Sequence, residues 1–288
     1  VISGTGSLTK LGSGTLTLSG TNTYTGITTV SAGTLALGAS DVISNSSALT
    51  VNGGTFALGA NSDTVGAVTI GTNGGSITST TGVLTSSSYT FNNTSAATVS
   101  AILAGSVNLT QAGSGTSTLS GANTYSGSNT LSGGTLALSG NGTLGSAANN
   151  LTMSATAALD LQRALTVGNL VMATGNTITN STGSSSLTVG GTSSLGGSIT
   201  TSGNQTYTGA TTIAANTSLA STANGTITFS STVNSASAAA YSLTTSTGTG
   251  STVFASTVGA SYALASLNTS GDTSIGGSVT TAGVQGYG

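Results

Sequence analysis

Six side chains carry all the charge in this chain: Lys10, Arg163, Asp41, Asp63, Asp160 and Asp272. Among them only Asp41 and Asp63 have a spacing that suggests chemistry, since it is close to one period of the repeat described below. Two carboxylates brought face to face would suit a Ca²⁺ site completed by Asn45 or Asn61, or general acid–base work on a glycan. The plainer reading is two solvated turn residues, and that is the expectation adopted. Asp160 and Arg163 read as a local surface pair of small energetic weight. Gly140, Gly142 and Gly145 fit G-x-G-x-x-G after the strand-like Thr135 to Leu138. A dinucleotide loop must open a helix, yet Ser146-Ala147-Ala148-Asn149-Asn150 leads into another strand-like run, so a turn is expected.

Tyr24, Tyr125, Tyr207 and Tyr287 recur at corresponding motif positions. They could line an exposed platform for sugars; the expectation is that each ring packs beside its turn with the hydroxyl hydrogen-bonded. Outward threonines such as Thr15 and Thr17 would suit an ice-binding face. That function needs a regular array, and Ala36 and Ala57 interrupt this one.

The elements that would have to position these groups are set by an unusual composition. The chain of 288 residues contains no His, Cys, Pro or Trp, 45 Gly, and 2% charged residues. Soluble domains average about 25% charged. Without His and Cys there is no Ser-His-Asp or Cys-His constellation, no imidazole or thiolate metal site and no disulfide. Two cations cannot neutralise a phosphate backbone, so nucleic acid is not an expected partner. No apolar run approaches the roughly 20 residues of a membrane-spanning helix. The chain opens at Val1 without a leader-like stretch and ends inside a motif at Tyr287-Gly288, which reads as a segment of something longer. No enzyme activity, cofactor or metal is expected.

Length suggests about two domains, but repeats override that prior. Residues 7–38 align without a gap on 108–139 at an offset of 101. Gly14, Leu18, Gly20, Asn22, Tyr24, Gly26, Gly33, Leu35 and Leu37 then lie over Gly115, Leu119, Gly121, Asn123, Tyr125, Gly127, Gly134, Leu136 and Leu138. Lys10 lies over Gln111. The similarity extends to residues 7–80 and 108–182. A second repeat type, at an offset of 80, covers 186–213 and 266–288 and includes Tyr207 and Gly209. A shorter cassette, Thr15-Leu16-Thr17-Leu18, returns as Thr34-Leu35-Ala36-Leu37 and as Thr55-Phe56-Ala57-Leu58.

A period of about 20 with apolar/polar alternation means short strands bounded by Gly and Asn turns, in units that must stack to bury their apolar face. Only Ala236 to Ala240 leans toward helix. In a stack of parallel strands equivalent residues lie about 4.8 Å apart. A column of like charges at that spacing would repel, whereas Thr, Ser and Asn columns hydrogen-bond. Proline would delete a ladder donor, and glycine supplies the positive φ of tight corners. One architecture explains all three biases: an all-β, right-handed parallel β-helix (β-solenoid) of about 20 residues per turn spanning residues 1–288, the hand taken from the usual crossover preference.

Residues 14–26 with Ala32-Gly33-Thr34-Leu35 resemble the passenger-associated transport repeat of bacterial autotransporters, and residues 111–138 resemble a second copy. Gly203-Asn204-Gln205-Thr206-Tyr207-Thr208-Gly209 is similar to repeats of filamentous-haemagglutinin-type surface adhesins. The resemblance implies export across a Gram-negative outer membrane and a role as adhesin, aggregation factor or stalk. It departs from the family in showing no C-terminal translocator barrel. The expected function is a non-catalytic structural and adhesive stalk contacting host or abiotic surfaces, glycans or other cells, with no membrane insertion of its own. The alternative is a self-assembling extracellular filament, pairing end to end or side by side; a glycan-active or ice-binding β-helix comes after these.

Overall fold

The computed structural model describes residues 1–237 and 240–288, and among them there is no helix. The helix-leaning alanine run therefore falls partly outside the described residues, at 238 and 239. Among the described residues no helix is long and apolar enough to cross a membrane. The chain forms two compact units, Val1–Ser146 and Ala147–Gly288.

The N-terminal unit is a parallel β-solenoid. Its longest sheet stacks Leu8–Lys10, Thr28–Val30, Leu49–Val51, Ala67–Ile70, Ser88–Phe91, Leu109–Gln111 and Asn129–Leu131. Leu8 lies over Thr28, Thr28 over Leu49, Leu49 over Val68, Val68 over Tyr89, Tyr89 over Leu109 and Leu109 over Asn129. One coil thus consumes one period of the sequence. A second face stacks Thr15–Leu18, Thr34–Leu37, Thr55–Gly59, Gly75–Ser79, Ala97–Val99, Thr116–Leu119 and Thr135–Leu138. A third, shorter one joins Asp63–Thr64, Val83–Thr85 and Ile102–Ala104.

Alternation along each three- or four-residue strand decides what enters the core. On the second face one inward column runs Leu35, Phe56, Ile77, Val99, Leu119 and Leu138, every side chain fully buried. Each contributes about 1.5–3 kcal/mol through burial. Leu16 belongs to the same column, paired with Leu35, but on the outermost rung it stays 36% exposed. Corners between faces need glycine where coils approach closely. Gly33 (φ 61°) and Gly134 (φ 57°), equivalent in the two long repeats, sit where an added Cβ would run into carbonyl oxygens of the preceding coil, those of Gly12 and Gly14 or of Gly113 and Gly115.

The C-terminal unit is again a parallel solenoid, with less even coils. Leu151 lies over Leu170, Leu170 over Ser193, Ser193 over Thr211 and Thr211 over Val233, so that shorter and longer coils alternate. Its core carries an aromatic column, Tyr207 on Phe229 on Phe254, with ring centroids 5.1 Å apart at each step. That spacing is close to the distance between neighbouring strands, so identical inward positions on successive rungs stack their rings.

Candidate functional site

Asp41 and Asp63 do lie on adjacent coils, the Asp41 amide donating to Ser62 O at 3.0 Å. One faces out and the other in. Asp41 is exposed in a turn with φ 53°, as expected of a solvated turn residue. Asp63 corrects the other half of that expectation: it is 2% exposed, and its Oδ2 accepts the backbone amides of Val42 (3.0 Å) and Ile43 (3.1 Å). Its Oδ1 is buried and has no hydrogen-bond partner. Burial pushes the Asp63 pKa up to about 6, against the two amide bonds, with the Asp41 charge adding to the rise. Asn45 is exposed, and the Asn61 amide is committed to Leu37 O at 2.8 Å. The four residues are not gathered into a cation site, and among the described residues no group of three or more His, Cys, Asp or Glu could hold a metal.

Asp160 is corrected in the same sense. Expected in a local surface pair with Arg163, it is 9% exposed and accepts from Ser181 N (2.9 Å), Ser181 Oγ (2.5 Å) and Gln162 Nε2 (2.9 Å). Burial raises its pKa, but the Ser181 and Gln162 bonds outweigh it and hold the carboxyl below its ordinary value. The glycine-rich stretch at 140–145 is a turn, closed by Gly142 N to Ser139 O at 2.7 Å, and no helix follows.

The recurrent tyrosines divide into two kinds. Tyr24 and Tyr125 are buried at the corner ahead of a strand and bond four residues on, to Thr28 Oγ1 and Asn129 Oδ1, each at 2.6 Å. Tyr207 and Tyr287 are strand residues whose hydroxyls donate to the glutamine two residues before, Gln205 (2.9 Å) and Gln285 (3.0 Å). Tyr207 is buried and Tyr287 is 45% exposed. The four positions are therefore not equivalent, and Tyr24, Tyr125 and Tyr207 form no exposed platform.

Each sequence repeat reproduces a hydrogen-bond set. Asn22 accepts Ile2 N (2.7 Å) and donates to Val42 O (2.8 Å); Asn123 accepts Leu103 N (2.9 Å) and donates to Thr143 O (2.8 Å). One buried amide so ties three successive coils. Lys10 Nζ caps the carbonyls of Leu11, Gly12 and Ala32, and Gln111 Nε2 takes over the Gly113 carbonyl in the second copy. Added Cβ atoms at Gly26 and Gly127 would collide with the carbonyls of Gly6 and Val107. In the second repeat type, Thr201 bonds Gly203 O and Gln205 bonds Thr201 Oγ1, as Thr281 does to Gly283 O and Gln285 to Thr281 Oγ1.

Two features escape a reading of the sequence. Corner asparagines bridge to the next coil, Asn52 Oδ1 accepting Asn73 N (2.9 Å), Asn108 accepting Ser128 N (2.8 Å) and Asn204 accepting Thr226 N (2.9 Å). The other feature is an outward column on the longest sheet of the N-terminal unit. Thr9, Thr29, Thr50, Thr69, Thr90, Thr110 and Thr130 are consecutive Cα partners, one on every rung. The alanine-interrupted array seen in the sequence, Thr17 over Ala36 over Ala57, belongs to the other face.

Fold and internal bonding define a repeat-built parallel β-solenoid. The passenger-associated-transport-repeat family model matches it twice, over residues 8–37 and 109–138. These are the two segments related by the offset of 101, so the chain carries this repeat in duplicate, and repeats and solenoid together fit the passenger segment of an autotransporter. Among curated proteins and solved structures none matches.

Proposed function

We propose that the chain is a non-catalytic structural and adhesive segment of a bacterial surface protein, exported across the outer membrane and acting by stacked coils that present neutral outer faces. The observation that carries this is the pair of passenger-associated transport repeats, placed where coils are in register and their equivalent polar groups are spent on holding coil to coil. Three of the six charged residues, Lys10, Asp63 and Asp160, are likewise engaged in internal hydrogen bonds. What is left outside is mostly Thr, Ser, Asn and Ala, which suits contact with a neutral, hydroxyl-bearing surface, glycan or neighbouring cell and not with nucleic acid.

The test is immunolabelling of intact producing cells together with binding of the purified chain to glycan and abiotic surfaces. Surface or medium-borne label, and binding that is unchanged from low to high salt, are expected. Label confined to lysed cells would overturn the exported role. Turnover of a polysaccharide that disappears in the Asp41→Asn/Asp63→Asn variant would overturn the non-catalytic one.

A further inference from the structure

Asparagine is followed by glycine four times in the chain, at Asn52-Gly53, Asn73-Gly74, Asn141-Gly142 and Asn224-Gly225. With no side chain on the following residue, its backbone nitrogen can reach the asparagine Cγ and attack it, an intramolecular step favoured by proximity. All four pairs lie between strands. The fold treats them in two different ways.

Asn52 and Asn224 have their carboxamide oxygens tied to the next coil, accepting Asn73 N (2.9 Å) and Thr249 N (3.0 Å). The attacking nitrogens are held as well, Gly53 N by Gly74 O of the next coil (2.8 Å) and Gly225 N by Ser221 Oγ (2.8 Å). Turning either carboxamide toward its own backbone breaks a bond between coils. Asn73 and Asn141 share another setting. Each is the third residue of a four-residue turn, closed by Gly74 N to Gly71 O (2.9 Å) and by Gly142 N to Ser139 O (2.7 Å). Both residues are exposed, and among the described residues neither carboxamide makes a hydrogen bond within the chain. Only the bond inside the turn has to open before the nitrogen can attack.

Packing also fixes the glycines of these two turns. An added Cβ at Gly74 would run into Ala96 O of the next coil, and one at Gly142 into Leu119 O of the coil before. The coil thus keeps the unshielded neighbour in place and leaves the asparagine free.

We propose that Asn73 and Asn141 are sites of spontaneous deamidation, and that Asn52 and Asn224 are protected from it. Gly74 N or Gly142 N gives up its proton to solvent and bonds to Cγ, the carboxamide nitrogen leaves as ammonia, and a succinimide ring closes. Water then opens the ring at either carbonyl, giving aspartate or, with the backbone rerouted through Cβ, isoaspartate. Each conversion adds one negative charge, so the two together take the formal net charge from −2 to −4. Turns that are synthesised neutral become acidic with age. The inference goes beyond the adhesive reading and does not rest on it.

Incubation of the purified full chain at neutral and at mildly alkaline pH, followed by peptide mapping, tests it. In the folded chain the peptides carrying Asn73 and Asn141 should exchange amide for acid, as aspartate plus isoaspartate, at least about tenfold faster than those carrying Asn52 and Asn224. The higher pH should speed the exchange, because the attacking nitrogen must lose a proton. In urea all four should convert at similar rates, since the dipeptide is the same. Asn73→Gln/Asn141→Gln, which lengthens each side chain by one methylene, should lose the acidic shift that the aged wild type shows on isoelectric focusing. A folded chain in which the four convert alike, or in which Asn52 or Asn224 leads, would overturn the proposal. So would conversion at Asn73 and Asn141 that occurs in urea and not in the folded chain, or an acidic shift that persists in the double variant.

Discussion

Asp63 reaches back one coil and accepts the backbone amide of Val42 at 3.0 Å, with a second bond from Ile43 to the same oxygen. The Val42 carbonyl is held by Asn22 Nδ2, so the two side chains occupy successive levels of one corner. Asn22 spends both ends of its amide; Asp63 has no donor to spend, and its second oxygen is left buried and unpartnered.

Stability near Asp63 should therefore rise in acid. Its folded pKa, about 6, lies above the ordinary carboxylate value of 3.8, so the folded form binds more protons between these limits. The stabilisation is full below about pH 4 and is lost as pH climbs through 6, an effect of about 3 kcal/mol from the size of the shift. Asp160 has the opposite sign: its depressed pKa gives stability that is present above the ordinary carboxylate range and is lost on acidification. Hydrogen-exchange protection, corrected for intrinsic rates, should rise around Val42 and Ile43 when pH is lowered from 7 to 4 and fall around Ser181 when it is lowered further, below the ordinary carboxylate value. Protection that moves the same way at both places would contradict the assignment.

Asp63→Asn follows from the same geometry. The amide can keep the Val42 and Ile43 bonds and adds the donor that Asn22 and Asn123 use. Urea unfolding at pH 7 should show the variant more stable by about 1–3 kcal/mol and the pH 4–6 dependence of the N-terminal unit removed. A variant less stable than wild type at pH 7 would show that the charge is needed where it lies.

Leu35 is fully buried between Leu16 and Phe56. Leu35→Asp removes its burial and leaves a charge without a partner, so a loss of more than about 4 kcal/mol is expected, against under about 0.5 kcal/mol for Ala36→Asp on the outward side of the same strand. Equal losses for the two in urea unfolding would mean the faces are interchanged.

Tyr125→Phe takes away the hydroxyl that donates to buried Asn129 Oδ1, and about 1–3 kcal/mol should go with it. Tyr287→Phe removes a bond to Gln285 at an exposed position, and the melting temperature should hardly change. A destabilisation by Tyr287→Phe as large as that by Tyr125→Phe would count against the two environments described.

With so few charges, added salt has little to screen. Unfolding free energy should change by less than about 1 kcal/mol between low salt and molar sodium chloride, measured by urea titration. A larger change would require an electrostatic contribution that six mostly separated charges do not supply.

The solenoid is legible in the sequence because its cause is periodic: cassettes such as 15–18, 34–37 and 55–58 repeat at nearly the coil length, and alternation within each tells inside from outside. Leu35, Phe56 and Leu119 fall inward for that reason, and the glycines at 33 and 134 fall where coils crowd. Asp63 was misread because a lone polar residue outside a cassette carries no period, and only the neighbouring coil, with its two free amides, makes the interior its place. The threonine column was hidden for a related reason. Its members recur at nearly the coil length, but in a chain so rich in threonine many others do too, and the hydrogen bonds between successive strands alone show which of them stand in line. Residue types and their approximate period thus determined that this chain coils and which chemistries it lacks. Strand register, set by coil lengths that vary one by one, decided which polar groups are buried as ties and which stand in a row outside.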